Sequence, residues 1–208
     1  MDDKPSRLPR LFWSGLMLIL IAMFGVMIWR TTKRSPALPT YGQVSAFSLT
    51  NQINQTITRD SLLGKVWIAD FIFTTCPGPC LVMSRQMKKL QTMLHSDDNI
   101  YLISITVDPE TDTPPVLTEY AKQMEANTNH WFFLTGDQKK IFHLATKGFL
   151  LAVAETQQAE AASKNGRYIH SIKFALVDQK GYVRGYYDGT DDEELPKLIH
   201  QARSLNIK

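Results

Sequence analysis

The feature that most restricts the fold is Phe71-Ile-Phe-Thr-Thr-Cys76-Pro-Gly-Pro-Cys80, which holds both cysteines of the 208-residue chain. Upstream, Val66 to Phe73 is a short apolar run rich in β-formers and bounded by Gly64, as expected of a buried strand. Downstream, Leu81, Met83, Met87, Leu90 and Met93-Leu94 recur at helical spacing. The cysteines therefore fall where a buried strand gives way to a helix. Pro77 suits the first turn of that helix, where a missing N–H has no helical partner to lose. A spacing of four puts both sulfurs on one helix face, about a turn apart. Near the helix N-terminus, free amides and the helix dipole favour thiolate over thiol. Two adjacent thiolates can bind a soft metal or close into a disulfide, and the pattern leaves both open. The bland alternative is a pair of buried, inert cysteines. Pro-Gly-Pro, poor material for a core helix, argues for a functional pair.

The second constraint is Leu11 to Trp29, nineteen residues without a charge. As a helix it spans roughly 28 Å, close to the hydrocarbon thickness of a bilayer. Trp13 and Trp29 near its ends fit interfacial anchors. A cleaved signal peptide, processed near Ser35-Pro-Ala37, is the competing reading, but the run exceeds a usual signal core and Arg30, Lys33 and Arg34 follow it. The expected organisation is thus a short cytoplasmic tail over 1–10, a transmembrane anchor over 11–29, a linker over 30–43 containing Pro36 and Pro39, and a globular domain over 44–208. Three Lys/Arg on each flank leave the positive-inside rule undecided; a short tail with the domain translocated is the expected arrangement.

The rest of the chain reads as α/β. Ala46–Leu49 and Gln55–Ile57 suit a small hairpin, and Ile100–Val107 a second apolar strand ending in the turn-rich loop Asp108-Pro-Glu-Thr-Asp112-Thr-Pro-Pro. Val116–Met124 has helical spacing, His130–Leu134 reads as a strand, Gln138–Thr146 as a helix and Phe149–Ala154 as a strand. Ser171–Val177 and Tyr182–Tyr187 form a hairpin through Asp178-Gln-Lys-Gly181, and Asp191–Leu205 is a closing amphipathic helix. This order predicts a central sheet flanked by helices. A cysteine pair at the strand-to-helix junction resembles the thioredoxin arrangement, with three residues between the cysteines instead of two. A formal net charge of +3, with both signs mixed and no basic-aromatic stripe, argues against nucleic acid as a partner.

Other side chains carry weaker signals. His95, His143 and His200 sit on helices or their ends and read as surface or satisfied histidines; His130 is ambiguous; His170, between a polar loop and an apolar strand, is placed as site residues often are. Met83, Met87 and Met93 invite a copper reading, yet their helical spacing favours core packing. Asp108 and Asp112 could pair for acid–base work, but in a Pro/Thr-rich loop they read as turn formers and caps. Asp70, polar within an apolar strand, is expected at an edge or facing solvent.

Four segments together resemble the Sco/SenC family of membrane-anchored, thioredoxin-like copper proteins. Phe73-Thr-Thr-Cys76-x-x-x-Cys80 resembles the F-T-x-C-x-x-x-C copper motif, and Ser104-Ile-Thr-Val-Asp108-Pro-Glu-Thr-Asp112-Thr-Pro the S-V-D-P-x-x-D-T-P loop. Trp131 to Gly136 resembles the W-x-x-L-T-G segment, and His170-Ser171 followed by Asp178-x-x-Gly181 the histidine segment. The resemblance implies a thioredoxin-like central sheet flanked by helices, with an N-terminal transmembrane helix. It also implies copper, as Cu(I) and also Cu(II), held by Cys76, Cys80 and His170 with Asp108 in support. The implied client is cytochrome c oxidase subunit II, with another copper chaperone as a further partner. The implied location is the cell inner (plasma) membrane, single-pass, with the C-terminal domain on the periplasmic side. The chain departs from the family at Gly78, Leu81 and Ile169, where Asp, Pro and Asp are frequent; the missing carboxylates would have helped to orient the imidazole.

Two enzymatic alternatives compete. A thiol–disulfide reductase would use Cys76 to attack and Cys80 to resolve, keeping the oxidase cysteines reduced; Arg167–Ser171 lacks the cis-proline expected of general oxidoreductases. A peroxidase on this scaffold would need a Thr three residues before the reactive Cys, where Phe73 stands.

Overall fold

The computed structural model of the chain describes residues 8–32, 38–151 and 171–206. The chain divides into two units, Met1–Ala37 and Leu38–Lys208. In the first, α1 (Leu8–Thr32) is a helix whose side chains from Trp13 to Val26 are exposed, with Trp13, Leu18, Met23 and Phe24 each about two-thirds open. Among the described residues no helix is long and apolar enough to cross a membrane, so the anchor expected over 11–29 is not established by the fold.

The second unit is mixed α/β. Its strands are β1 (Gly42–Gln43), β2 (Ser48–Asn51), β3 (Thr56–Thr58), β4 (Val66–Ile72), β5 (Ile100–Thr106), β6 (Trp131–Thr135), β7 (Lys173–Val177) and β8 (Tyr182–Asp188). Around them lie the helices α2 (Pro79–Met93), α3 (Pro114–Gln123), α4 (Gln138–His143) and α5 (Glu194–Leu205), with a 3-10 turn at Asp60–Leu62 and a π-helical turn at Leu144–Gly148 that continues α4. The strands form one sheet in the order β1-β8-β7-β4-β5-β6-β2-β3, with β4, β5 and β6 parallel. All seven residues of β4 are buried, as its apolar run, interrupted only by Asp70, implies for a central strand covered on both faces.

Register assigns the faces. Trp67 and Phe71 of β4 share one face and meet Phe149 edge-on, at 5.7 and 5.3 Å between centroids. Asp70 points to the other, where register places it beside Ser104 of β5 and, one strand on, Phe133 of β6. The expectation that Asp70 faces solvent or lies on an edge is therefore wrong. It is 0% exposed, with β5 on one side and β7 on the other.

Two other expectations change. No strand runs through 149–151, and 152–154 fall outside the described residues. The chain keeps turning after α4, with Phe149 N–H donating to Leu144 O at 2.8 Å and Leu151 N–H to Ala145 O at 3.0 Å. Leu150 is left at φ 52°, incompatible with a strand. Packing also begins before Val44. Arg184 donates from Nε to Pro39 O (2.8 Å), from Nη2 to Leu38 O (2.6 Å) and from Nη1 to Asp178 (2.7 Å), while β1 pairs with β8.

Candidate metal site

The cysteines lie beyond the C-terminal end of β4. Pro79, not Pro77, occupies the first turn of α2. A proline disfavours helical geometry in the residue before it, and Gly78 accordingly sits at φ −132°, ψ −117°. Cys76 thus precedes the helix instead of sharing a helix face with Cys80, and its N–H donates to Phe73 O at 3.2 Å. The two side chains still meet. Both are free thiols, close enough for Cys76 to act on the titration of Cys80, with Cys76 half-buried and Cys80 only 6% exposed.

The expectation of a favoured thiolate fails at Cys80. Burial, followed by the neighbouring Cys76 thiol, pushes its thiol well above the ordinary range, against a smaller opposing effect of the Phe73 main chain. Desolvation sets the direction because Cys80 is buried in the core. Below it, Ser84, one turn along α2, accepts a hydrogen bond from the Tyr120 hydroxyl of α3 at 2.8 Å.

Beside the cysteine turn runs the 107–113 loop. Val107 N–H donates to Ile72 O at 2.8 Å, joining the loop to the end of β4. Asp112, 0% exposed, accepts from Thr74 N–H (3.0 Å) and from the hydroxyls of Thr74 and Thr106. This carboxylate clamps the residue two before Cys76. Asp108 starts the turn, donating its N–H to Thr106 Oγ1 at 3.0 Å and accepting Asp112 N–H on its carbonyl at 2.8 Å. Both aspartates lie in the turn, as read, but the cap position of α3 is Thr113, and the Asp112 carboxylate instead has a reach across the fold that the sequence reading missed. Polar threonines at the ends of two buried strands, Thr74 after β4 and Thr106 closing β5, were the available signal.

Asp112→Ala would leave three donors facing a void. At about 1 kcal/mol or more for each buried group left unpaired, the loss is expected to be about 3 kcal/mol. A fall in melting temperature of about 6–12 °C checks it.

Met83 and Met87 are buried in the core, as their spacing implied, while Met93 is partly exposed at the far end of α2. His130 packs its ring on Tyr101 at 5.0 Å, and His95 Nδ1 lies 3.0 Å from Thr92 O. They precede the N-terminal ends of β6 and β5, whereas the cysteines follow the C-terminal end of parallel β4, so the sheet separates them. His143 closes α4 and His200 is exposed on α5. His170 lies outside the described residues. Among those described, no group of three or more His, Cys, Asp or Glu could hold a metal. The paired thiols alone offer a soft, two-sulfur donor set.

The comparisons agree with this layout. The SCO1/SenC family model matches residues 37–204. The SCO1 protein homolog of Bacillus subtilis (strain 168) is 33% identical over 166 residues, covering 79% of this chain and 83% of its own length. Among solved structures, BsSco, a member of the Sco family of cytochrome c oxidase assembly proteins, aligns at 32% identity and TM-score 0.69, over 81% of this chain and 95% of that one. Bradyrhizobium japonicum ScoI with copper bound aligns at 23% identity and TM-score 0.64, over 79% and 99%, and shows the shared fold. The Leu38–Lys208 unit has the thioredoxin-like architecture of these proteins. With its cysteine pair at the β4–α2 turn and the match running from 37 to 204, the chain belongs to the SCO1/SenC family.

Proposed function

We propose that this protein is a membrane-anchored copper carrier that delivers copper to the binuclear site of cytochrome c oxidase subunit II. The observation that carries the reading is the pair of free, neighbouring thiols at the β4–α2 turn. Two sulfurs so placed suit Cu(I), the softer copper ion. The copper-bound relative and the oxidase-assembly role named for BsSco support the choice of metal and client. The apolar run 11–29 would be a single membrane span, with the domain on the outer face of the plasma membrane.

His170 is the proposed third ligand. The support is topological. β7 runs antiparallel to β4 with Ala69 opposite Ala175, so the start of β7, Lys173, lies toward the end of β4 that leads to Cys76. Ser171, which follows His170 in sequence, precedes that start.

The chain's own chemistry in metal capture is proton release. Burial and the Cys76 contact hold Cys80 as a thiol, so a metal displaces its proton and apparent affinity rises with pH. The test is an anaerobic Cu(I) titration of the reduced protein beside its His170→Ala form. One copper per chain is expected, with affinity at least about tenfold weaker in the variant, a change of about 1.4 kcal/mol. Equal affinity would remove His170 from the ligand set.

The contact between the two thiols also favours a second reading, thiol–disulfide reduction. Cys76 would attack a client disulfide and Cys80 would close on the mixed disulfide; two protein thiols become one disulfide while the client gains two thiols. Failure of the reduced protein to open the subunit II disulfide in a purified assay would exclude it.

A further inference from the structure

Residues 137–150 carry a surface that the cysteine site does not use. Along α4 and the turns that continue it, Ile141, Leu144, Ala145, Gly148 and Phe149 are buried. Lys139, Phe142, His143, Lys147 and Leu150 are exposed, Phe142 by 43% and Leu150 by 50%. On α4, Lys139, Phe142 and His143 follow helical steps and share one side; Lys147 lies in the wider 144–148 turn and Leu150 just beyond it. Lys140 is exposed beside it. Asp137, the one acid in the segment, is turned back to accept Lys140 N–H at 2.9 Å. Among the described residues no carboxylate pairs with Lys139, Lys140 or Lys147. Cations interleaved with an exposed aromatic and an exposed leucine are the composition of surfaces that lie in a bilayer interface.

Position points the same way. A Cβ on Gly42 would meet Leu150 Cδ1 at 3.3 Å, and one on Gly148 would meet Ser45 N at 3.4 Å. A groove of about 520 Å³ between the two segments is lined by Ser45, Phe47, Leu49, Lys139, Lys140 and His143. The basic face therefore adjoins the stretch by which the chain enters the domain, a short linker beyond the apolar run 11–29.

We infer that the Lys139–Leu150 face is a membrane-contact surface, its lysines on anionic phospholipid headgroups and Phe142 and Leu150 in the interface, which orients the domain on its bilayer. The inference rests on the membrane reading above. The test compares the full chain with its Lys139→Glu/Lys140→Glu/Lys147→Glu form, in lipid nanodiscs of phosphatidylcholine alone or mixed with phosphatidylglycerol. Incorporation into the zwitterionic discs reads the anchor; amide hydrogen exchange over 138–150 reads the face.

The expected result is incorporation into both discs, with exchange at least about tenfold slower in the anionic ones, since each lysine contributes roughly fivefold at such a surface. Salt and the triple variant should both abolish the slowing, while the variant melts as the wild type does in detergent. Incorporation with equal exchange in both discs overturns the inference and leaves the anchor standing. Capture by anionic discs alone, lost in the variant, keeps the face and removes the anchor. Association with neither removes both. Slowing that needs added oxidase instead of anionic lipid also overturns the inference, in favour of an acidic protein partner.

Discussion

Serine in place of either Cys76 or Cys80 is expected to weaken Cu(I) binding by roughly a thousandfold or more, about 4 kcal/mol. The serine hydroxyl stays protonated and is a hard donor, so each replacement removes one of two soft ligands from a monovalent copper ion. The fold should survive both changes. Cys76 is half-buried, and Cys80 loses only the difference between sulfur and oxygen at a site already touching a polar neighbour. Stability should therefore move by about 1 kcal/mol, which separates ligand loss from unfolding. Met83→Leu and Met87→Leu serve as controls, because both side chains are core filling on the same helix and should leave copper binding unchanged. An anaerobic titration against a competing Cu(I) chelator measures all four. Wild-type affinity in both serine variants would end the dithiolate reading.

The other large effect belongs to Asp70. Its two carboxyl oxygens are buried without a partner at hydrogen-bond distance. Ser104, opposite it in register, makes no hydrogen bond to it, and its Oγ accepts the Trp131 indole N–H at 3.0 Å. Burial accordingly lifts the Asp70 pKa from 3.8 to about 7, and the nearby hydroxyl offsets this only in part. The folded chain thus binds this proton more tightly than the unfolded chain. Asp70 is least unfavourable below about pH 4, costs stability progressively as pH rises toward 7, and costs no more beyond it. A shift of that size corresponds to a loss on the order of 4 kcal/mol across the window. Asp70→Asn, which cannot ionise, should flatten the profile and gain most on the wild type near pH 8. Urea denaturation of the reduced, metal-free protein from pH 4 to pH 8 checks this, and parallel curves for the two proteins would refute it.

Much of the architecture was legible because it is written in local periodicity. A run rich in apolar β-formers marked β4 as a buried strand, helical recurrence marked α2, and the Asp178–Gly181 turn marked the β7–β8 hairpin. The cysteine pair at the β4–α2 turn followed from those same two patterns. Where the reading slipped, a short-range pattern was insufficient. Phe149–Leu151 is apolar enough for a strand, but Leu150 takes a positive φ as the chain closes on α4. Pro77 and Pro79 are both plausible helix starters, and only the backbone chose the later one.

What the tertiary structure alone decided is the environment of each polar group at the site. Asp112 reaches Thr74 across 38 positions of sequence, and Tyr120 reaches Ser84 across 36. Asp70 became buried because β5 and β7 flank its strand, and strand order cannot be read from the alternation within one strand. The Cys80 thiol is held protonated by the core packed around it, although its place at a helix start suggested the reverse. Most strands, most helices and the cysteine pair could be located from local pattern, because backbone propensity and side-chain period act over a few residues. Desolvation and hydrogen bonding between distant segments exist only once the sheet is assembled, and it is they that set the charge and position of the groups beside the thiols.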